Sequence, residues 1–105
     1  MKEIYLENLS RIEPGDYTGY IQSKTDDTKN NRIWFNILVG NNLLNIALSK
    51  QTHVYNKFAK YFVVDGYVDT DDFVNNEVQF SVTDHTINGE VYSRITSIKC
   101  ITKEV

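Results

Sequence analysis

A second cysteine is missing. Cys100 is the only one in 105 residues, so no intramolecular disulfide can form, and the chain fits a reducing compartment. No apolar run approaches eighteen residues and no basic-then-apolar leader opens the chain, so neither membrane spanning nor secretion is indicated and a cytoplasmic protein without a membrane partner is expected. Gly-rich phosphate cradles and Cys/His zinc spacings are absent too. The acids Asp65, Asp69, Asp71 and Asp72 lack the alternation, loop glycine and distant Glu of a calcium loop, which favours a solvated acidic loop. His53 and His85 lie far apart in sequence, and Cys100 has no local partner arrangement that would activate it. The chain therefore reads as a non-enzyme with no cofactor and no metal. Positive charge is also short: 11 Lys and Arg stand against 14 Asp and Glu, a formal net charge of −3. No global positive field draws in a polyanion, and any basic patch has to be local.

The hydrophobic content of 41% suits one modest core, so residues 1–105 read as a single domain. Residues 1–15 form an N-terminal arm or edge strand, with Ile4, Leu6 and Leu9 the apolar positions, and residues 16–102 form the folded body. Pro14-Gly15-Asp16 is a turn signal, because Pro presets φ and Gly accepts φ above zero. Short β-stretches are expected between Tyr17 and Ile101. Tyr17 to Lys24 starts the first, and a polar loop from Thr25 to Asn31 leads to Arg32 to Val39. Gly40-Asn41-Asn42 turns the chain back into Leu43 to Leu48, most simply as an antiparallel hairpin. Ser49 can cap a helix reaching Tyr61, with Val54, Phe58 and Tyr61 recurring at four- and three-residue spacing. That spacing makes Tyr55, Phe58 and Tyr61 core rather than a binding box. Phe62 to Asp69 then alternates, with Phe62, Val64 and Val68 on one side and Gly66 in the same register where a barrel strand bends. Val78 to Ile87 runs into Asn88-Gly89, the strongest hairpin signal in the chain, and Glu90 to Ile101 returns.

A two-residue Asn-Gly connection pairs Ile87 with Glu90, and so sets His85 opposite Tyr92, Thr83 opposite Arg94 and Val82 opposite Ile95. One face then collects Phe80, Val82, Val91 and Ile95 as core. The other collects Ser81, Thr83, His85, Tyr92, Arg94 and Thr96, a wet face with an aromatic beside a cation. A tyrosine ring can stack on a base, at about 1–3 kcal/mol per stack, while arginine meets phosphate or stacks as a planar cation. An ordinary solvated hairpin face explains this feature about equally well. If Ile33, Phe35 and Ile37 face the core, Trp34 faces outward as a stacking platform, although a subunit interface would also use it. Tyr20 faces outward if Gly19 and Ile21 face in, and Lys24 and Arg32 flank the loop at the strand ends, where a phosphate can pass.

The order of elements, with the helix between the third and fourth strands, is that of an all-β, five-stranded OB-fold barrel, a fold that mostly binds single-stranded nucleic acid or oligosaccharide. From Tyr17 to Ile101 the chain resembles the bacterial single-stranded DNA-binding proteins, and within them small tail-less forms of the mycoplasma type. The resemblance is carried by Leu48-Ser49-Lys50, by the helix ending Tyr55-Asn56-Lys57-Phe58-Ala59-Lys60-Tyr61, by Phe62-Val63-Val64-Asp65-Gly66-Tyr67-Val68-Asp69-Thr70, and by Asn88-Gly89-Glu90-Val91-Tyr92-Ser93-Arg94-Ile95. In the family a stacking aromatic stands seven residues after the glycine of the acid-Gly segment, a position held here by Phe73. Phe80 is the other aromatic that could fill it, and the hairpin register assigns Phe80 to the core. A stacking tryptophan usual near the start of the third strand has no counterpart, since Asn41 and Asn42 fall there. The acidic tail that recruits replication proteins in the family has no counterpart either, because the chain stops at Thr102-Lys103-Glu104-Val105, so no recruitment of that type is expected.

The resemblance implies binding of single-stranded DNA with little sequence preference, in support of replication, recombination or repair, by a homodimer or homotetramer. Trp34, Phe73, Tyr92 and Tyr20 would stack bases while Lys24, Arg32, Lys50 and Arg94 track phosphates. An RNA-binding OB domain, or an OB-fold protein-interaction module as the acidic balance suggests, are the alternative expectations.

Overall fold

The computed structural model describes residues 12–101. It is mostly β: one antiparallel sheet of five strands, β1 (Gly15–Asp27), β2 (Arg32–Val39), β3 (Asn42–Ser49), β4 (Glu77–Ile87) and β5 (Glu90–Cys100). A short helix, α1 (His53–Ala59), lies between β3 and β4. The strand order is β3-β2-β1-β4-β5, and among the described residues the edge strands β3 and β5 are not hydrogen-bonded to each other, so the sheet is open. The expected arm from Met1 to Arg11 lies outside the described residues.

β1 is shared between two partners. Its first half pairs with β4, from Gly15↔Val82 to Tyr20↔Glu77, and its second half with β2, from Tyr20↔Leu38 to Asp27↔Arg32. Gly19 sits at the changeover, where a Cβ would lie 2.8 Å from the Leu38 carbonyl oxygen and 2.7 Å from Ile37 Cγ2. Only a residue without a side chain lets β2 come this close. Gln22 is left unpaired by a bulge between Ile21 and Ser23, and the bulge reverses the alternation that follows it. Upstream, Ile21 is buried and Tyr20 exposed. Downstream, Lys24 stands opposite buried Phe35 and Asp26 opposite buried Ile33, while Thr25 stands opposite Trp34.

The β4–β5 register is the one that the Asn-Gly turn dictates: Ile87↔Glu90, His85↔Tyr92, Thr83↔Arg94 and Val82↔Ile95. Asn88 and Gly89 both take positive φ, 51° and 84°, the conformation of the hairpin turn whose twist matches the strands. A bulge at Thr96 interrupts the pairing between Ser81↔Ser97 and Val82↔Ile95. Phe80, Val82 and Ile95 are core as expected, but Val91 is 44% exposed. It lies on the core-facing side of an arm that has already run past the core.

One hydrophobic cluster joins Ile21, Ile33, Phe35 and Ile37 to Val78, Phe80 and Val82, and to Ile95, Ile98 and Cys100. α1 closes one end of it with Phe58 and Ala59. The helix starts later than expected and is capped by Thr52 rather than Ser49: the Thr52 hydroxyl accepts from the Tyr55 backbone N–H at 3.2 Å. Tyr55 and Tyr61 pack partly buried against the core around fully buried Phe58.

Phe62 to Asp69 is not a strand. A 3-10 turn, Lys60–Phe62, continues α1, and then Asp65 and Gly66 adopt positive φ, 52° and 81°. The Val64 N–H donates to the Tyr67 carbonyl at 2.8 Å, and the Tyr67 N–H donates back to Val64 at 3.0 Å. Asp-Gly is a hairpin-turn dipeptide for the same reason as Asn-Gly, and here it folds the segment on itself. Val64 and Tyr67 are accordingly 65% and 80% exposed.

Candidate nucleic-acid interface

β2 is buried on alternate positions, Ile33, Phe35 and Ile37, so Arg32, Trp34 and Asn36 fall on the outward face. Trp34 is half-buried, and the residue opposite it on β3 is Ala47, which has no bulk to cover an indole. Beside it, Asn45 Nδ2 donates to Asn36 Oδ1 and Asn36 Nδ2 donates to Ser23 Oγ, each at 2.8 Å. This amide relay crosses three strands and fixes the polar surface next to the ring. The far end of the β4–β5 arm approaches the same face, and a cleft of about 570 Å³ separates the two. Its walls carry Arg32 and Trp34 on one side and His85, Tyr92 and Arg94 on the other. Ile87, near the tip of the arm, lines it as well.

Two of these side chains are held in place. The Arg32 Nε donates to Asp27 Oδ2 at 2.8 Å, and its guanidinium carbon stands 4.9 Å from the centre of the Trp34 ring. Hydrogen bonds from Asn30 first, and then from Arg32, keep the Asp27 carboxyl below its usual range. The Tyr92 hydroxyl donates to Glu90 Oε1 at 2.7 Å. Arg94 makes no ion pair among the described residues.

Four of the eight expected site residues, Arg32, Trp34, Tyr92 and Arg94, thus meet around one cleft. Tyr20 shares the outward face, 42% exposed, but it pairs with Leu38, about 13 Å along the strand from Trp34 at 3.3 Å per residue. The other three do not join them. Phe73 is fully buried, with ring centres 5.0 Å from Phe58 and Phe62 and 6.1 Å from Phe35. The 3-10 turn Thr70–Phe73 drives it inward: the Asp69 carboxylate accepts from the Asp71 N–H and caps the turn. A ring packed on all sides has no face for a base, so Phe73 is a core residue.

The bulge at Gln22 turns Lys24 and Asp26 to the side of buried Phe35 and Ile33, and Lys50, just after β3, reaches Asp26 there. The Lys24 ammonium bonds Asp26, Asp71 at 2.8 Å and Thr70 at 2.8 Å, with its side chain only 13% exposed. Lys50 reaches the other Asp26 oxygen at 3.3 Å. The Lys24 hydrogen bond holds the Asp26 carboxyl below its usual range against the opposing effect of desolvation, with Thr70 and Lys50 adding to it. The hydrogen bonds to Asp26 and then Asp71 raise Lys24 in return. Both lysines are thus paired with protein carboxylates, away from the cleft.

His85 and Ile87 line the cleft without having been singled out as ligands, although the Asn-Gly register already placed His85 opposite Tyr92. No group of three or more His, Cys, Asp or Glu side chains among the described residues is arranged to hold a metal ion. No helix among them is long and apolar enough to cross a membrane. In comparison with known proteins, the chain matches no family model and no curated protein sequence.

Proposed function

We propose that the chain is a binding protein, not an enzyme, with an OB-like fold that holds single-stranded DNA in the cleft between β2–β3 and the β4–β5 arm. Trp34 and Tyr92 stack bases while Arg32 and Arg94 meet phosphates. The observation that carries this reading is the convergence of two aromatics and two guanidinium groups on one cleft, Arg94 with no ion pair among the described residues and Arg32 held to Asp27 through its Nε, in a chain with more acids than bases. The split of β1 between β2 and β4, and the helix between β3 and β4, support the OB-like assignment. Stacking tolerates any base, so little sequence preference is expected, and such binding suits the protection of transient single strands in replication, recombination or repair. A small fold offers few contacts to a long strand, so the working unit is a homodimer or homotetramer.

Titration with oligo-dT at low salt tests the cleft directly, because Trp34 is the only tryptophan and a stacked base quenches its emission. Unchanged emission at saturating oligonucleotide sinks the assignment. Gel shifts with matched single-stranded DNA, duplex DNA and RNA separate DNA binding from RNA binding. Light scattering that returns the 12.2 kDa of one chain removes the oligomer.

A further inference from the structure

The cleft is not isolated. Thr52 and Arg94 at its rim are followed by His53 and Thr96, which line a narrower groove of about 260 Å³ between α1 and β5. Lys57, Ser97 and Ile98 line both that groove and a third hollow of about 540 Å³, where Lys60 and Lys99 join them. The three hollows follow one another along β5, over about 23 Å from Tyr92 to Lys99 at 3.3 Å per residue.

Charge along this path is unlike that of the whole chain. Five Lys or Arg side chains line the three hollows, against a single carboxylate, Asp16. The Asp16 Oδ1 already accepts from the Ser81 hydroxyl at 2.6 Å, and Lys57, Lys60 and Lys99 form no ion pair among the described residues. Their convergence has a structural cause. Lys57 and Lys60 lie three residues apart, on the last turn of α1 and the 3-10 turn that continues it. Residues so spaced share a face. Lys99 stands between buried Ile98 and Cys100, opposite Gln79, and so projects outward beside them.

We infer that the backbone of a single strand held in the cleft runs on along the groove between α1 and β5 and places its phosphates on a second contact site made by Lys57, Lys60 and Lys99. This rests on the cleft reading above. Trp34 and Tyr92 take the bases at the cleft; Tyr61, the aromatic in the third hollow, packs partly buried against the core, and the lysines there supply charge. The cleft therefore sets base stacking, and the lysine site sets salt dependence and the number of nucleotides covered.

The test compares the wild-type chain with the triple variant Lys57→Gln, Lys60→Gln, Lys99→Gln, on dT oligonucleotides of about four and about sixteen nucleotides, the ends of the range for one such fold. Affinity is read by anisotropy across a salt series, with Trp34 emission followed in parallel. The expected result is that the variant keeps the wild-type affinity for the short oligonucleotide within about twofold. For the long one, the slope of log affinity against log salt falls by about 2, from roughly 0.7 per phosphate released. The triple Lys→Arg variant should restore the slope. An unchanged slope on the long oligonucleotide overturns the second site while leaving the cleft reading standing. Binding of the long oligonucleotide that depends on the lysines but leaves Trp34 unquenched supports the lysine site and overturns the cleft. Absence of binding to either oligonucleotide by the wild-type chain overturns both.

Discussion

The guanidinium of Arg32 lies over the Trp34 ring at 4.9 Å. A cation in that position covers one face of the indole and polarises the other, while Ala47 across the strand pair leaves the ring's flank open. Removing the ring by Trp34→Ala should cost about 1–3 kcal/mol of oligo-dT binding, the value of one base stack, or roughly a 5- to 150-fold loss of affinity. Tyr92→Ala should cost a similar amount. Anisotropy titrations with labelled oligo-dT check both, and an affinity within twofold of wild type for either variant would remove that residue from the interface.

Phe73 should behave in the opposite way. Its ring fills the space between Phe35, Phe58 and Phe62, so Phe73→Ala should destabilise the fold by about 3–5 kcal/mol. Urea denaturation measures the loss. Phe73→Leu keeps most of the volume and should bind oligo-dT like the wild type once folded, whereas a stacking role predicts a loss of binding without a loss of stability.

Gly19 carries a second stability prediction. Gly19→Ala places a methyl group against the Leu38 carbonyl at 2.8 Å, and the backbone of β2 cannot step aside without breaking the β1–β2 ladder. Overpacking of this kind costs about 1–3 kcal/mol. A thermal midpoint equal to that of the wild-type chain would show that β1 and β2 are further apart than described.

Acid should weaken the fold through the Asp26 cluster. Its carboxyl is held below the ordinary value of 3.8, first by Lys24. The folded state thus binds the proton less readily than the unfolded chain, and the stabilisation is present in full above pH 3.8. It is lost as the pH falls below that value through the lowered folded pKa. Lys24, raised above 10.5, gives the mirror image: its share is complete below pH 10.5 and is lost only at higher pH. Asp71, Thr70 and Lys50 face the same pair. Asp26→Asn should flatten the acid limb of a stability–pH curve measured by urea denaturation between pH 2 and 6, and a limb of unchanged steepness would place the acid sensitivity elsewhere.

The parts legible in the sequence are those fixed by local chemistry. Asn88-Gly89 set the register of an entire hairpin, and the spacing of Val54, Phe58 and Tyr61 identified the inward face of α1. Trp34 could be aimed outward because its neighbours Ile33 and Phe35 are apolar. What escaped depends on contacts distant in the chain. A bulge leaves no mark in composition, so nothing near Gln22 announced that Lys24 would change sides. The turn at Asp65-Gly66 uses the same chemistry credited at Asn88-Gly89, but there the surrounding Val and Tyr imitated the alternation of a strand. Phe73 was placed by resemblance, and only the packing of Phe35, Phe58 and Phe62 shows that the aromatic cluster had room for a fourth ring.

Gln22 has no partner across the ladder, and this puts the two halves of β1 out of phase. Were the bulge ironed out with Gln22 kept in plain alternation, the strand would turn inside out from Ser23 to Asp27: the Lys24–Asp26 pair would surface beside Trp34, and Thr25 would be pushed beneath the sheet. The same residues would then add an ammonium and a carboxylate to a rim that carries the guanidinium of Arg32, so the character of the binding surface is decided by one irregularity of the backbone as much as by the kinds of residue on it.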